Sequence, residues 1–204
     1  MITEAMLDSL RIDIQKNMGK HRFAHTLGVE REMRRLAEIY MPQKVEKAAA
    51  AGLLHDVTKH FSAQEQIAYC RQNGIIISPE EEAAAQILHA KTAAHYIQKR
   101  YPSFCDEELV SAVAKHTTGN REMSLLDTML YIADFMEEGR TYSSCRELRH
   151  MFWSGLPQAA DKQLFLKQML LQAYQFSLEA LSRCQAVISP ETVLARDALL
   201  AELS

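Results

Sequence analysis

Glycine, proline and cysteine are scarce in this chain, and positive charge is not in excess. The seven glycines and five prolines among 204 residues fall between helical patterns. No segment alternates apolar and polar residues at period two, so a β-rich fold is excluded. Ile75-Ile76-Ile77 is long enough only for an extended connector. The four cysteines, Cys70, Cys105, Cys145 and Cys184, are scattered and form no C-x-x-C pair. That argues against a disulfide framework or a thiolate zinc site and for a reducing cytoplasm. No apolar run approaches the ~20 residues of a membrane span, and the N-terminus lacks the basic-then-apolar layout of a signal peptide. The net charge of −3 offers no basic field for a nucleic-acid backbone. A polyanionic ligand must be met by a local patch or by metal.

What is present is an ordinary globular balance, 48% hydrophobic and 24% charged, over a length that buries one adequate core. There is no repeat, linker or low-complexity segment, so residues 1–204 read as a single all-α domain. The first helix runs from about Thr3 to Asn17 and ends before Gly19. A second spans about Lys20 to Tyr40, with Phe23, Leu27, Met33, Leu36 and Ile39 near one face. Pro42 suits the first turn of a third, which carries Ala48 to Leu54. Capping boxes open further helices at Ser62 with Glu65, ending at Gly74, and at Ser78-Pro79 with Glu81; Ser124 with Asp127 opens another. Asp106 caps a helix ending near His116. Long patterns at 157–186 and 190–203 complete the chain. Leu164, Phe165, Met169, Tyr174 and Phe176 read as core or as an oligomer face. The runs Glu80-Glu81-Glu82 and Glu30-Arg31-Glu32 read as solvated helix faces.

His55-Asp56, closing the apolar run from Ala49 to Leu54, is the most informative pair. A buried imidazole and carboxylate are costly unless something compensates their desolvation. A metal ion does so, because this ligand mixture suits Fe, Mn or Zn. Adjacent helical residues point about 100° apart, so both grip one ion only at a helix end or a distortion. Of eight histidines, His25, His55, His89 and His116 share one kind of position, among small or apolar residues near the end or bend of a helix. Asp134, in Tyr131-Ile132-Ala133-Asp134, lies beside an apolar helix face. Taken alone, His25 is best read as a core histidine. As a set, His25, His55, Asp56 and Asp134 suffice for one octahedral ion, while His89 and His116 suit a second ion bridged by Asp56 or a substrate phosphate. His95 and His150 read as surface residues, and His21 as a solvated or rim residue.

The series Arg22-Phe23-Ala24-His25-Thr26-Leu27-Gly28-Val29, Ala51-Gly52-Leu53-Leu54-His55-Asp56-Val57-Thr58-Lys59, Leu88-His89, His116-Thr117-Thr118-Gly119 and Ile132-Ala133-Asp134 resembles the HD-domain superfamily. Within it, His-Thr-Thr-Gly followed by Met123-Ser124, Ala133-Asp134 and Gly139-Arg140 is similar to the YqeK group, the bacterial symmetrical diadenosine tetraphosphate hydrolases. The motif core covers about 18–142, with C-terminal helices 157–203 expected to pack on it. A weaker echo appears at Ile188-Ser189-Pro190-Glu191-Thr192 and Ala195-Arg196. Two departures stand out. Glu137-Glu138 replaces the family's Glu-Pro, and Arg196-Asp197 replaces Arg-Asn.

The resemblance implies an HD-type helical bundle that hydrolyses the dinucleoside tetraphosphate into two nucleoside diphosphates with bound iron, one ion or two; Mn or another divalent ion would also serve. That chemistry needs an activated water and neutralised phosphoryl charge. Asp56 and Lys59 are then the catalytic candidates. Lys59, at i+3 from Asp56, faces the same cleft if the helix continues one turn. Arg22 and Arg140 are phosphate candidates, Arg140 for its bidentate fork, and Thr117 and Thr118 supply hydroxyl or backbone hydrogen bonds. His60, a surface residue by its pattern, is counted among the substrate-binding candidates, and the resemblance places Ile188 and Pro190 near the base. The expected partners are the dinucleoside polyphosphate, its ADP or GDP products, and a second copy of the chain; no nucleic acid or membrane is expected. The alternatives are a non-catalytic nucleotide-binding HD regulator or another HD-type nucleotide phosphatase.

Overall fold

A computed structural model describes residues 1–204. It contains eleven α-helices and no strand: α1 Glu4–Gln15, α2 Lys20–Tyr40, α3 Val45–Leu54, α4 Ala63–Gln72, α5 Pro79–Ala83, α6 His89–Arg100, α7 Glu107–Lys115, α8 Leu125–Met136, α9 Ser143–Gly155, α10 Lys162–Arg183 and α11 Pro190–Glu202. The all-α expectation holds. No helix is long and apolar enough to cross a membrane.

Helix α3 is the axis of the bundle. Every residue from Ala48 to Leu54 is buried, as an apolar helix must be when neighbours surround it. Helices α1, α2, α7 and α8 all pack against it. Its alanines and Gly52 allow close approach, since a Cβ on Gly52 would lie 2.9 Å from Cα of Glu30 in α2. Leu53 and Leu54 are fully buried, and truncating either to Ala would cost about 2–5 kcal/mol. Helix α8 supplies a second buried rod, Leu126 to Ala133. Helix α10 lies on α8 and α9, and α11 lies on α10.

The capping boxes at Ser62/Glu65, Ser78/Glu81 and Ser124/Asp127 form as expected, each with both reciprocal bonds, and Asp106 caps α7 through the Leu109 N–H. Four features differ from expectation. Helix α5 is only five residues long and breaks at Ala84; a 3-10 turn, Ala85–Ile87, separates it from α6. Helix α9 carries no capping side chain, its N-cap being Tyr142, so no local signal announces it. The long pattern from 157 begins as a 3-10 turn and becomes α10 only after the Asp161 cap. Finally, Glu30 and Glu32 are buried, not solvated, because arginines from α1 and α2 and the Trp153 indole of α9 cover them.

Candidate metal centre

Six side chains from five elements meet at the ends of the central helices. His55 is the C-cap of α3 and His116 the C-cap of α7. His89 opens α6, Asp134 lies in the last turn of α8, and His25 comes from α2. The α-helix stops at Leu54, and residues 55–60 continue as tighter turns, with Lys59 N–H donating to Asp56 O at 2.9 Å. That distortion brings His55, Asp56 and Lys59 to one side, where a continued α-helix would have splayed the first two.

One device orients three of the imidazoles. Nδ1 of His55 is 2.7 Å from Gly52 O, Nδ1 of His89 is 2.7 Å from Gln86 O, and Nδ1 of His116 is 2.7 Å from Val113 O. Each is the carbonyl three residues back, one of the acceptors a helix end or turn leaves without a partner. A carbonyl only accepts, so Nδ1 carries the proton and Nε2 presents its lone pair. His25 is held differently: its Nδ1 lies 3.0 Å from Glu137 Oε1.

The freed Nε2 atoms and the carboxylates crowd together. His25 Nε2 is 3.0 Å from Asp134 Oδ1 and 3.9 Å from Asp56 Oδ2. His55 Nε2 is 3.4 Å from Asp56 Oδ2 and 3.9 Å from Asp134 Oδ1. On the other side of Asp56, Oδ1 is 3.2 Å from His89 Nε2 and 3.7 Å from His116 Nε2, and those two nitrogens are 3.0 Å apart. Two groups of three donors, His25/His55/Asp134 and His55/Asp56/His116, each have their ligand atoms within 4.8 Å of one another.

These residues fit a divalent ion. Donors ~2.1 Å from one centre stand roughly 3.0 Å apart at right angles and roughly 4.2 Å apart when opposed, the range found here. His25 Nε2, His55 Nε2 and Asp56 Oδ1 are buried without an aligned hydrogen-bond partner. The chain's other three such atoms are on Tyr40, Asp127 and Tyr174, none of which belongs to either group of three donors. Clustered buried polar atoms of this kind are costly unless a cation or a hydrogen bond satisfies them.

The electrostatics favour ionised carboxylates. Burial alone would raise Asp56, but His55, His116 and His89 hold it well below the usual carboxylate range. Asp134 is likewise held down against its burial, by Arg140 and then His25. Burial pushes His89 down to about 4, with Asp56 opposing. For His25 burial is outweighed by the nearby carboxylates of Asp134 and Glu137, which raise it to about 9, so an incoming ion displaces a proton there. Burial lowers Lys59, against the pull of Asp56 and Asp134.

The cations read as phosphate contacts touch the cluster itself. Arg22 donates to Asp56 Oδ2 at 2.7 Å. Arg140 donates to Asp134 Oδ1 at 2.5 Å and to its backbone O at 3.0 Å. Lys59 Nζ lies 3.0 and 3.1 Å from the two ring nitrogens of His89. Thr117 Oγ1 sits 3.0 Å from His89 Nε2 and 3.1 Å from His116 Nε2, whereas Thr118 Oγ1 donates to Gly119 O. His60 is exposed, its ring edge-on to Phe61. Ile188 lines a cavity of about 480 Å³ between α10 and α11 with Arg183 and Arg196, and none of the six clustered residues lines it. Pro190 is the exposed first residue of α11.

Glu137 was not a candidate from sequence. Its carboxylate bonds His25 and accepts the Gly139 N–H at 2.6 Å. A Cβ on Gly28 would meet Glu137 Oε2 at 2.1 Å, so glycine at 28 makes room for it. The one available signal was the Glu before Gly139-Arg140; its partner lies 112 residues away in sequence, beyond any local pattern.

An all-α bundle that turns four imidazoles and two carboxylates onto one buried locus has the donor set of a divalent-metal site. The HD domain model matches residues 22–138, and the chain belongs to the HD-domain family. Two curated relatives are described as "Bis(5'-nucleosyl)-tetraphosphatase, symmetrical". The one from Bacillus subtilis is 27% identical over 89% of this chain and 90% of its own length. The one from Halalkalibacterium halodurans is 29% identical over 67% of this chain and 71% of its own. A crystal structure from Clostridium acetobutylicum, described as a predicted HD superfamily hydrolase involved in NAD metabolism, superposes with a TM-score of 0.83 at 29% identity, covering 96% of this chain and 97% of that one.

Proposed function

We propose that this chain is a metal-dependent hydrolase that cleaves symmetrical dinucleoside tetraphosphates, such as diadenosine tetraphosphate, into two nucleoside diphosphates. The observation that carries the reading is the shared orientation of His55, His89 and His116, whose Nδ1 protons are committed to backbone carbonyls while Nε2 faces Asp56. A purely nucleotide-binding domain has no need of that arrangement. The names of the two curated relatives support the substrate class.

His25, His55, Asp56 and Asp134 would hold one ion; the imidazole and carboxylate mixture suits iron, or manganese in its place. His89 and His116 would hold a second ion with Asp56 shared, or contact phosphate directly. When bound, a divalent ion supplies Lewis-acid polarisation of the phosphoryl oxygens and a water acidic enough to ionise near neutrality. Asp56 stays ionised and offers one oxygen to each side of the cluster. Lys59, Arg22 and Arg140 carry the positive charge that a tetraphosphate requires, and Thr117 donates a hydroxyl beside His89 and His116. Arg22 and Arg140 exchange carboxylate for phosphate oxygens as substrate arrives.

Product chromatography tests the reading. Diadenosine tetraphosphate should yield ADP alone. AMP with ATP would mean asymmetric attack, and no turnover by metal-loaded protein would favour a binding role.

A further inference from the structure

The turn from α8 into α9 carries Glu137 toward His25, and its tip, Glu138 and Gly139, is exposed. Arg140 ties the turn back to Asp134, and the next helix supplies a second restraint. Arg149 of α9 donates from Nε to Met136 O at 2.6 Å, and from one terminal nitrogen to Glu137 O at 2.5 Å and Arg140 O at 2.9 Å. All three of its side-chain hydrogen bonds end on this one turn. The turn closes on itself through Arg140 N–H to Glu137 O at 3.0 Å. These carbonyls lie at or past the end of α8, where no further helical N–H follows. A planar guanidinium spans several diverging acceptors, which a single ammonium cannot do. Glu137, pinned through its own carbonyl, then takes the Gly139 N–H on one oxygen and meets His25 Nδ1 with the other.

We propose that Arg149 is a positioning residue of the metal centre: by gripping the backbone of the 136–140 turn it fixes where the Glu137 carboxylate meets His25, and so sets divalent-cation affinity without touching the ligand atoms. The inference rests on the metal-centre reading above. Carboxylates that hold a metal-bound imidazole from behind raise affinity by roughly tenfold to a hundredfold, and Arg149 acts one contact further out.

Calorimetric Mn²⁺ titration with thermal unfolding of each metal-free protein tests it, on wild type, Arg149→Met, Arg149→Lys, Glu137→Ala and the Arg149→Met/Glu137→Ala double variant. Arg149→Met should weaken Mn²⁺ binding by about tenfold, and Arg149→Lys should recover little of that. In the Glu137→Ala background, Arg149→Met should cost roughly threefold or less, because the path to His25 is already broken. Wild-type affinity in Arg149→Met, full additivity with Glu137→Ala, or full rescue by lysine would each overturn the proposal. Should Arg149→Met not fold, Arg149→Lys decides: weakened binding supports a fork requirement, and unchanged binding overturns it. A failure of the metal-centre reading has its own signature, wild-type protein that takes up no Mn²⁺ or Fe²⁺.

Discussion

Helix α2 serves two clusters of buried carboxylates, and they are satisfied in opposite ways. Glu30 accepts from Arg11 and Arg34, and Glu32 accepts from Arg35 and from Trp153 Nε1 at 2.6 Å, with the Arg35 guanidinium 3.8 Å over the indole ring. Every charge there has a fixed counter-charge from the protein. At His25 the same helix enters a cluster of two carboxylates and four imidazoles in which three buried polar atoms have no aligned hydrogen-bond partner. Burial of charge is therefore not by itself the mark of a site. Convergent buried polar atoms without aligned partners are the better mark, because they are costly unless something further satisfies them.

The contrast can be broken from either side. Asp56→Ala or Asp134→Ala should abolish turnover, lower metal content and weaken metal affinity by more than the roughly hundredfold typical of outer partners, with helical circular dichroism unchanged because the apolar core is untouched. Glu30→Ala should do the reverse. It leaves Arg11 and Arg34 facing a gap and should cost about 2–3 kcal/mol of stability in denaturant unfolding, below the full figure for a buried pair because both guanidiniums reach solvent, while Mn²⁺ affinity stays at wild type.

Lys59→Met sharpens the chemistry within the His25 cluster. It keeps most of the side-chain length and removes the charge, so metal content should hold. Loss of a charge-assisted contact worth ~1.5–3 kcal/mol lowers kcat/KM roughly tenfold to a hundredfold. Arg140→Lys should also lose activity if its contact is bidentate, and less than additively with Lys59→Met if both grip one phosphate. Metal loss in Lys59→Met would make the lysine structural.

The smallest effect concerns Glu32. Burial raises its pKa above the ordinary 4.5, although Arg35 and Trp153 oppose this. Ionised Glu32 is thus disfavoured in the fold relative to the unfolded chain. Its contribution to stability is least favourable above the raised pKa and improves as pH falls through it toward 4.5. The stability of Glu32→Gln relative to wild type should therefore decline as pH is lowered from 8 to 4.5, a trend read directly from paired thermal melts. Asp56 and Asp134, held low, have no such trend in that window.

Much of the fold was legible because its signals are local: three serine capping boxes, Asp106, and an Ala/Leu run hydrophobic all round. Helix α9 escaped because Tyr142 caps nothing, and the α5–α6 break escaped because no glycine or proline marks Ala84. Five of the six clustered residues were legible because each stands in small or apolar surroundings near a helix end; His25, inside α2, joined them only as a member of the set. Glu30 and Glu32 were misread because their partners lie on other helices or a turn away on the same one. Glu137 and Arg149 were missed for a related reason: their roles run through His25 and through backbone carbonyls, and no residue pattern displays a carbonyl.

Crystals of the protein as purified, measured at the iron absorption edge, test the central claim most directly. An anomalous peak lying between His25 Nε2, His55 Nε2, Asp56 and Asp134 is the predicted result. Absence of any peak there after soaking in Fe²⁺ or Mn²⁺, with those same atoms bonded to one another or to water, would contradict it.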